Sequence, residues 1–440
     1  MPVNSAPGLG DRFAAEMARI GGFEPRPRLA VAVSGGADST ALVLLARDWA
    51  VRRGGTVLAL IVDHGLRAES PAEADATLDV LAALGIPGQK LTVADLVKGS
   101  ALAERAREAR YRLLLHACAS AGVPHLLLGH HRSDQVETVM MRVLAGSTAR
   151  GLAGMPAVVE TRFVRLLRPL LGVAPSRLRA MLIARGVSWI EDPSNRDRNA
   201  QRARLRGIRA DVPGTGEGTA AVAQAARQAG DFRAARDRAV AQTLAERATI
   251  RPEGYALLTP GAIEPEALAA LLRTIAGTRH APPIDRVAAL ARALRPATLG
   301  GVRIAPAGRL GDGWLLVRER RAIQGPVRAE LNVVWDGRFR LAAAPPGGLS
   351  RNGPEETLTP GAPTPDTLTL DTLTLGALGA DAARFRNRYG PPTLVLHGLP
   401  ALRLGHEPLA VPHIGVGDPR WHLLFDPRNS AAGAPFLSGC

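Results

Sequence analysis

The stretch that most limits what this chain can fold into runs from Arg28 to Trp49. Leu29 to Val33 is a short apolar run that reads as a buried strand, while Ala41, Leu42, Leu44, Leu45 and Trp49 recur at helical spacing. Between them lies Ser34-Gly35-Gly36-Ala37-Asp38-Ser39. Two adjacent glycines let a ligand approach the backbone, and successive N–H groups at a helix start form a concave, partly positive seat for phosphate. The stretch therefore predicts a strand, a phosphate-binding turn and a helix. It lacks the Gly-Lys-Ser/Thr ending of the Walker loop, so it is a cradle of another kind. In a plainer reading Ser34 and Asp38 only shape a turn and cap a helix, but capping needs one such residue and not the whole six-residue string.

The following segments alternate in the same way. Strands are expected at Thr56–Val62, Gln89–Val93, His125–Gly129 and Phe163–Leu170, and helices at Asp11–Ile20, Pro71–Leu84, Ser100–Ala121 and Pro175–Arg185. Such alternation implies an α/β fold with a doubly wound, mostly parallel, Rossmann-like sheet. Open sheets of this type bind ligands at the carboxyl ends of their strands, which singles out Asp63 and His64. An ordinary turn with a hydrogen-bonded aspartate is the alternative there. After the fourth strand, His130 precedes a helix whose buried stripe is Val136, Val139, Met140 and Val143. Asp134 and Glu137 lie three apart on another face and are neighbours. They make either a metal or amine site, or an N-cap with its capping-box partner.

Charge and cysteine content narrow the function classes. The 55 Lys and Arg against 40 Asp and Glu leave +15, an excess that suits a polyanionic partner, a solubility role being the bland alternative. Cys118 and Cys440 cannot build a disulfide framework or a paired-cysteine metal site, and no run approaches the ~20 apolar residues of a membrane span. A cytoplasmic chain without membrane association is expected, and a homodimer stays open. Length implies about three domains at roughly 150 residues each. The composition break at Val212–Gly218 separates a catalytic domain (1–211) from a helical middle domain (219–325) and a small C-terminal domain (326–440) with a low-complexity insertion near 356–376. In the middle domain Thr219–Ala248 should be a long helix offering Arg227, Arg236, Arg238 and Arg247 to a polyanion, and Gly301–Arg318 a hairpin. Arg384-Phe385-Arg386-Asn387-Arg388-Tyr389 suits either RNA stacking or a surface strand.

The order Ser-Gly-Gly-x-Asp-Ser resembles the pyrophosphate loop of the ATP pyrophosphatase superfamily. Further motifs follow in order: Asp63-His64-x-Leu66-Arg67, Glu104 through Arg110-Tyr111, His130-His131-x-x-Asp134-Gln135-x-Glu137-Thr138, Gly151-Leu152-x-Gly154-Met155, Arg168-Pro169-Leu170-Leu171 and Glu191-Asp192-Pro193-Ser194-Asn195-x-Asp197. Over residues 25–210 this series resembles the tRNA(Ile)-lysidine synthase family, with departures at Ser133 and Ala203. The resemblance implies that ATP activates carbon 2 of the wobble cytidine in the CAU anticodon of tRNA(Ile), and that free L-lysine then displaces AMP. It further implies that Ser34, Gly35, Gly36, Ala37, Asp38, Ser39, Asp63 and His64 hold ATP, with Asp38 positioning magnesium. Asp134 and Glu137 would bind lysine or metal, His130 would position the nucleotide, and Arg110 and Arg202 would neutralise phosphate charge. A tRNA thiolase of the same superfamily is the nearest rival and needs paired cysteines or an iron–sulfur cluster. A non-catalytic basic RNA-binding protein is the rival from another class.

Overall fold

The computed structural model describes residues 8–65, 70–93, 102–147, 149–190, 211–343, 372–386, 390–433 and 436–439. Leu66, Arg67, Glu191–Asp197, Arg202, Ala203, the 356–371 stretch, residues 387–389 and Cys440 lie outside them. The chain forms two compact units, Met1–Ala235 with Ala434–Cys440, and Arg236–Gly433.

The first unit is built on a six-stranded sheet of order β3-β2-β1-β4-β6-β5. Its strands are β1 (Arg28–Val33), β2 (Thr56–Asp63), β3 (Gly88–Thr92), β4 (His125–Leu127), β5 (Val158–Glu160) and β6 (Arg165–Leu167). All neighbours are parallel except β5, which pairs antiparallel with β6 at the edge. The expected fifth strand is therefore the second arm of a hairpin, and its first arm is three residues long, too short for an alternation pattern to mark it. The helices are α1 (Leu9–Ile20), α2 (Ala37–Val51), α3 (Ser70–Ala83), α4 (Leu102–Ser120), α5 (Arg132–Leu144), the single turn α6 (Ala149–Leu152) and α7 (Pro175–Ala184).

Strand alternation sends successive side chains to two different cores. Leu29, Val31, Val33, Val57, Ala59, Ile61 and Leu127 pack with α1, α2, α3 and α7. Ala30, Leu60, Leu126, Leu128 and Leu166 pack on the other face with Leu114, Ala117 and Cys118 of α4. Both faces of the sheet are thus covered, as a parallel sheet requires. Helix α2 is buried almost all round, with Leu42, Leu44, Leu45 and Trp49 against the sheet and α7 and with Ala41, Val43 and Ala46 also closed to water. The helix after the phosphate loop is a core element rather than an amphipathic surface one.

A long helix, α8 (Glu217–Arg247), begins in the first unit and continues into the second. The second unit holds three antiparallel sheets: β7 (Ala248–Arg251), β8 (Tyr255–Leu258), β11 (Trp314–Arg318), β10 (Val302–Pro306) and β9 (Ala297–Leu299) in that order; β12 (Val327–Arg328), β15 (Thr374–Ala377), β16 (Pro400–Leu404) and β17 (Glu407–Ala410); and β13 (Val334–Trp335), β14 (Phe339–Ala343) and β18 (Trp421–Phe425). The expected hairpin is present, with β10 (Val302–Pro306) running antiparallel to β11 (Trp314–Arg318). Helices Pro265–Ala276 and Ile284–Arg292 cover the first of these sheets through Leu268, Leu271, Leu272, Ile275, Val287 and Leu290. Arg384 and Phe385 close a 3-10 helix, Gly379–Phe385, in place of a surface strand, and Arg384 pairs with Glu407 at 2.8 Å. Arg247 donates to the carbonyls of Thr259, Pro260 and Ala262, so it clamps a turn of its own unit, whereas Arg227 and Arg238 are exposed.

Deep in the second unit, Asp336 sits in the turn between β13 (Val334–Trp335) and β14 (Phe339–Ala343) with φ at 53°. Its carboxylate accepts from Arg318 Nε and Nη2 at 3.0 Å each, from Arg338 Nε at 2.8 Å and from the Gln324 N–H at 3.0 Å. Arg338 is 1% exposed and lies over the Phe339 ring. This group ties β11 of one sheet to the β13–β14 hairpin of another.

Candidate active site

In the order β3-β2-β1-β4-β6-β5 the chain builds outward in opposite directions from β1 and β4, and the crevice outside their carboxyl ends is where such sheets take ligands. A cavity of about 620 Å³ opens there. The loop after β1 lines it with Ser34, Gly36, Ala37, Asp38 and Ser39; the loops after β2 and β4 bring His64 and His130, His131 and Asp134.

The loop is braced from within. Ser39 Oγ accepts from the Ser34 N–H at 3.1 Å and donates to the Gly36 carbonyl at 3.0 Å, while the Gly35 carbonyl accepts from the Ile190 N–H at 2.9 Å. Gly35 has φ +79°, and a Cβ there would stand 2.6 Å from Thr77 Oγ1, so only glycine fits. Gly36 is the N-cap of α2 in extended geometry, and no side chain caps the helix among the described residues. The capping role open to Ser34 and Asp38 is therefore not what these residues do, and the helix start faces the cavity with its positive end uncapped.

Asp38 and His131 face each other across the crevice, with Asp38 Oδ2 3.4 Å from His131 Nε2. The other oxygen, Oδ1, is buried without a hydrogen-bond partner among the described residues, which makes Asp38 the carboxylate here best placed to meet a cation. His130 is held neutral: burial outweighs the neighbouring Asp134 and, with Arg168, Arg107 and Arg110 nearby, pulls its pKa down to about 4. Burial and Arg110 likewise lower His64. Both rings can act as neutral donor or acceptor groups, and neither His64 Nδ1 nor His130 Nδ1 has a partner among the described residues.

Asp63 stands beside the cavity and does not line it. Its carboxylate accepts from the Gly65 N–H at 2.9 Å and from Ser70 Oγ at 2.6 Å; burial alone would raise its pKa, but these bonds outweigh it and the net shift is downward. It shapes the turn that presents His64. The capping box on α5 is present but displaced by three residues: His131 is the N-cap, accepting from the Ser133 N–H, and Asp134 is the N3 residue, accepting from the His131 N–H at 3.0 Å. Glu137 is 1% exposed and lies outside the cavity lining, one turn behind Asp134. The Gly151–Met155 motif supports α5 from below, because Gln135 bonds both the N–H and the carbonyl of Met155 and Arg142 donates to the carbonyls of Gly151 and Gly154.

Arg110 lines the cavity as expected, and Arg107, one turn earlier on α4, lines it too. Sequence alone does not single out Arg107, because four arginines of α4 are spread around the helix and only the packing of Leu114 on the sheet fixes which face looks inward. Arg179, Glu73, Thr77 and Trp189 complete the wall, together with Asp211, whose carboxylate collects the N–H groups of Gly214, Thr215 and Gly216 before α8. No cluster of three or more metal-binding side chains occurs among the described residues. Cys118 is buried in α4 with its thiol pushed up to about 12 by desolvation, so it supplies no thiolate.

A glycine loop at the carboxyl edge of a parallel sheet, open to phosphate and flanked by arginines, defines an ATP-binding domain of the pyrophosphate-loop class, and the PP-loop domain model matches residues 10–209. The chain is 34% identical over 337 residues to a tRNA(Ile)-lysidine synthase of Bradyrhizobium diazoefficiens, covering 72% of this chain and 90% of that protein. It is 36% identical over 338 residues to the Rhodopseudomonas palustris tRNA(Ile)-lysidine synthase, covering 74% and 92%. This chain belongs to the tRNA(Ile)-lysidine synthase family. Among solved structures, a U34-tRNA thiolase from Methanococcus maripaludis with its 4Fe-4S cluster aligns at TM-score 0.43 and 16% identity over 51% of this chain and 77% of that one. No helix of the described residues is long and apolar enough to cross a membrane.

Proposed function

We propose that the chain joins free L-lysine to carbon 2 of the wobble cytidine in the CAU anticodon of tRNA(Ile), with ATP cleaved to AMP and pyrophosphate. It works in the cytoplasm, where tRNA, ATP and free lysine are at hand. The observation that carries this reading is the meeting in one cavity of a braced phosphate loop, two arginines of α4 and the first-turn carboxylate of α5. In the first step the oxygen on cytidine carbon 2 attacks the α-phosphorus and pyrophosphate leaves. The N–H groups at the start of α2 hold the departing phosphates, and Arg107 and Arg110 offset the charge that develops on them. His130, neutral at physiological pH, orients the nucleotide by hydrogen bonding without adding charge.

In the second step the lysine amine bonds to carbon 2 and AMP leaves. With a pKa near 10.4 in water, the neutral amine is about 5 kcal/mol uphill at pH 7. Asp134 binds the ammonium at the cavity wall and takes up its proton, and Glu137, buried one turn behind and outside the lining, backs it from within the helix. Magnesium fits the donor set: Asp38, whose Oδ1 is buried and unpartnered among the described residues, would hold it. When bound it supplies charge to the phosphates. Asp63 acts through the turn it shapes, and the family resemblance assigns neutralisation of phosphate charge to Arg202, which lies outside the described residues. We assign catalysis to residues 1–211 and tRNA contact to 219–325, where Arg227 and Arg238 are exposed to solvent, and treat 326–440 as a small accessory domain.

Incubation with tRNA(Ile) transcript, labelled lysine and ATP tests the reaction. Labelled tRNA and AMP should form in equal amounts, and a transcript whose wobble cytidine is replaced should take no label. AMP formation without lysine transfer would overturn the assignment.

A further inference from the structure

His131, rather than only its neighbour His130, connects the two halves of the cavity. Its Nδ1 accepts from the Ser133 N–H at 3.2 Å, so in the neutral ring the proton sits on Nε2. That Nε2 lies 3.4 Å from Asp38 Oδ2 and 3.6 Å from Asp134 Oδ2. Asp38 belongs to the first turn of α2, on the phosphate side, and Asp134 to the first turn of α5, on the side assigned to the amine. One imidazole N–H therefore faces a carboxylate from each side of the crevice, and the ring itself is fixed by its role as the α5 N-cap.

We propose that His131 is a positioning residue: its Nδ1 holds α5 and its Nε2–H tethers Asp38 through Oδ2, which leaves Oδ1 as the oxygen offered to the cation that accompanies the triphosphate. The tether also sets the spacing between the phosphate loop and Asp134. This inference rests on the ATP-binding reading of the cavity. It concerns the orientation of a carboxylate 3.4 Å from a ring nitrogen rather than a titration, in the way outer partners commonly orient metal-binding groups.

The two ring nitrogens can be replaced separately. In His131→Asn the amide oxygen takes the place of Nδ1 and keeps the cap, while nothing reaches Asp38; Asn is among the best N-cap residues. In His131→Gln the amide nitrogen takes the place of Nε2 and keeps the tether, while the cap is lost. Magnesium-dependent ATP binding by calorimetry, the unfolding temperature, and the KM for ATP against kcat for AMP release are measured on the full chain.

His131→Asn is expected to unfold at the wild-type temperature, to bind magnesium-ATP roughly 10–100-fold more weakly and to raise the KM for ATP. His131→Gln is expected to unfold at a lower temperature and to keep its ATP affinity. Wild-type affinity in His131→Asn, equal losses in the two variants, or an unfolded His131→Asn overturns the tether. A wild-type protein that binds no nucleotide overturns the reading of the cavity as well, so the two failures are told apart.

Discussion

Two charge clusters in this protein, one closed to solvent and one at the cavity, are built on opposite rules. Around Asp336 in the second unit, both carboxylate oxygens are occupied by Arg318, Arg338 and the Gln324 N–H, and the backbone N–H of Asp336 donates to Gln324 in return. Around Asp38 in the first unit, one oxygen lies 3.4 Å from His131 Nε2 and the other is buried and unpartnered among the described residues, and His64 and His130 each keep a ring nitrogen in the same condition. A carboxylate with both oxygens occupied has none left to offer a cation and serves packing. An unsaturated one carries a desolvation penalty that only a ligand relieves. What separates the two aspartates is the occupation of their carboxylate oxygens: both are taken at Asp336, and one is open at Asp38 among the described residues.

The largest expected effect breaks the saturated side. Asp336→Ala leaves two guanidinium groups buried without their carboxylate and should cost about 3–5 kcal/mol of unfolding free energy, read by denaturant titration of the second unit. Its ATP affinity should stay at the wild-type level. Asp38→Asn should do the reverse, lowering AMP release by about 10²–10³-fold with the unfolding midpoint unchanged. If the two variants exchange phenotypes, the contrast is wrong.

His130 gives a pH-dependent test. Its folded pKa of about 4 lies below the unfolded value near 6.5, so the unfolded state binds the proton first as pH falls. Its contribution is fully present above pH 6.5 and is lost between 6.5 and 4, on the order of 3 kcal/mol at most. A His130→Gln variant should show a flatter stability profile in that window, and parallel profiles would refute the assignment. The smallest effect is expected at Gly35→Ala, where φ of +79° and the approach to Thr77 should cost about 1–2 kcal/mol and weaken ATP binding.

How much of this was legible in sequence follows from the range of the interactions. The loop from Ser34 to Ser39 could be read because strand pattern, glycines and helix pattern are contiguous. Asp134 could be singled out by spacing, but its place as N3 rather than N-cap depends on His131 accepting from Ser133, which spacing does not encode. His131 meets Asp38 only because β1 and β4 are neighbours in the sheet, far apart as they are in the chain. The Asp336 cluster was invisible for the same reason, its turn looking like one more glycine-containing connection while Arg318 belongs to a hairpin upstream. Strand β5 escaped because three residues carry no period.

Helix α2, enclosed by the sheet on one side and by α1 and α7 on the other, has a kinetic consequence. Its amides beyond the first turn should exchange with deuterium only on global unfolding, so the seat at its amino end rests on a fixed anvil. The exposed side chains of Arg107 and Arg179, which line the same cavity, are then its movable part, and turnover should register their agility.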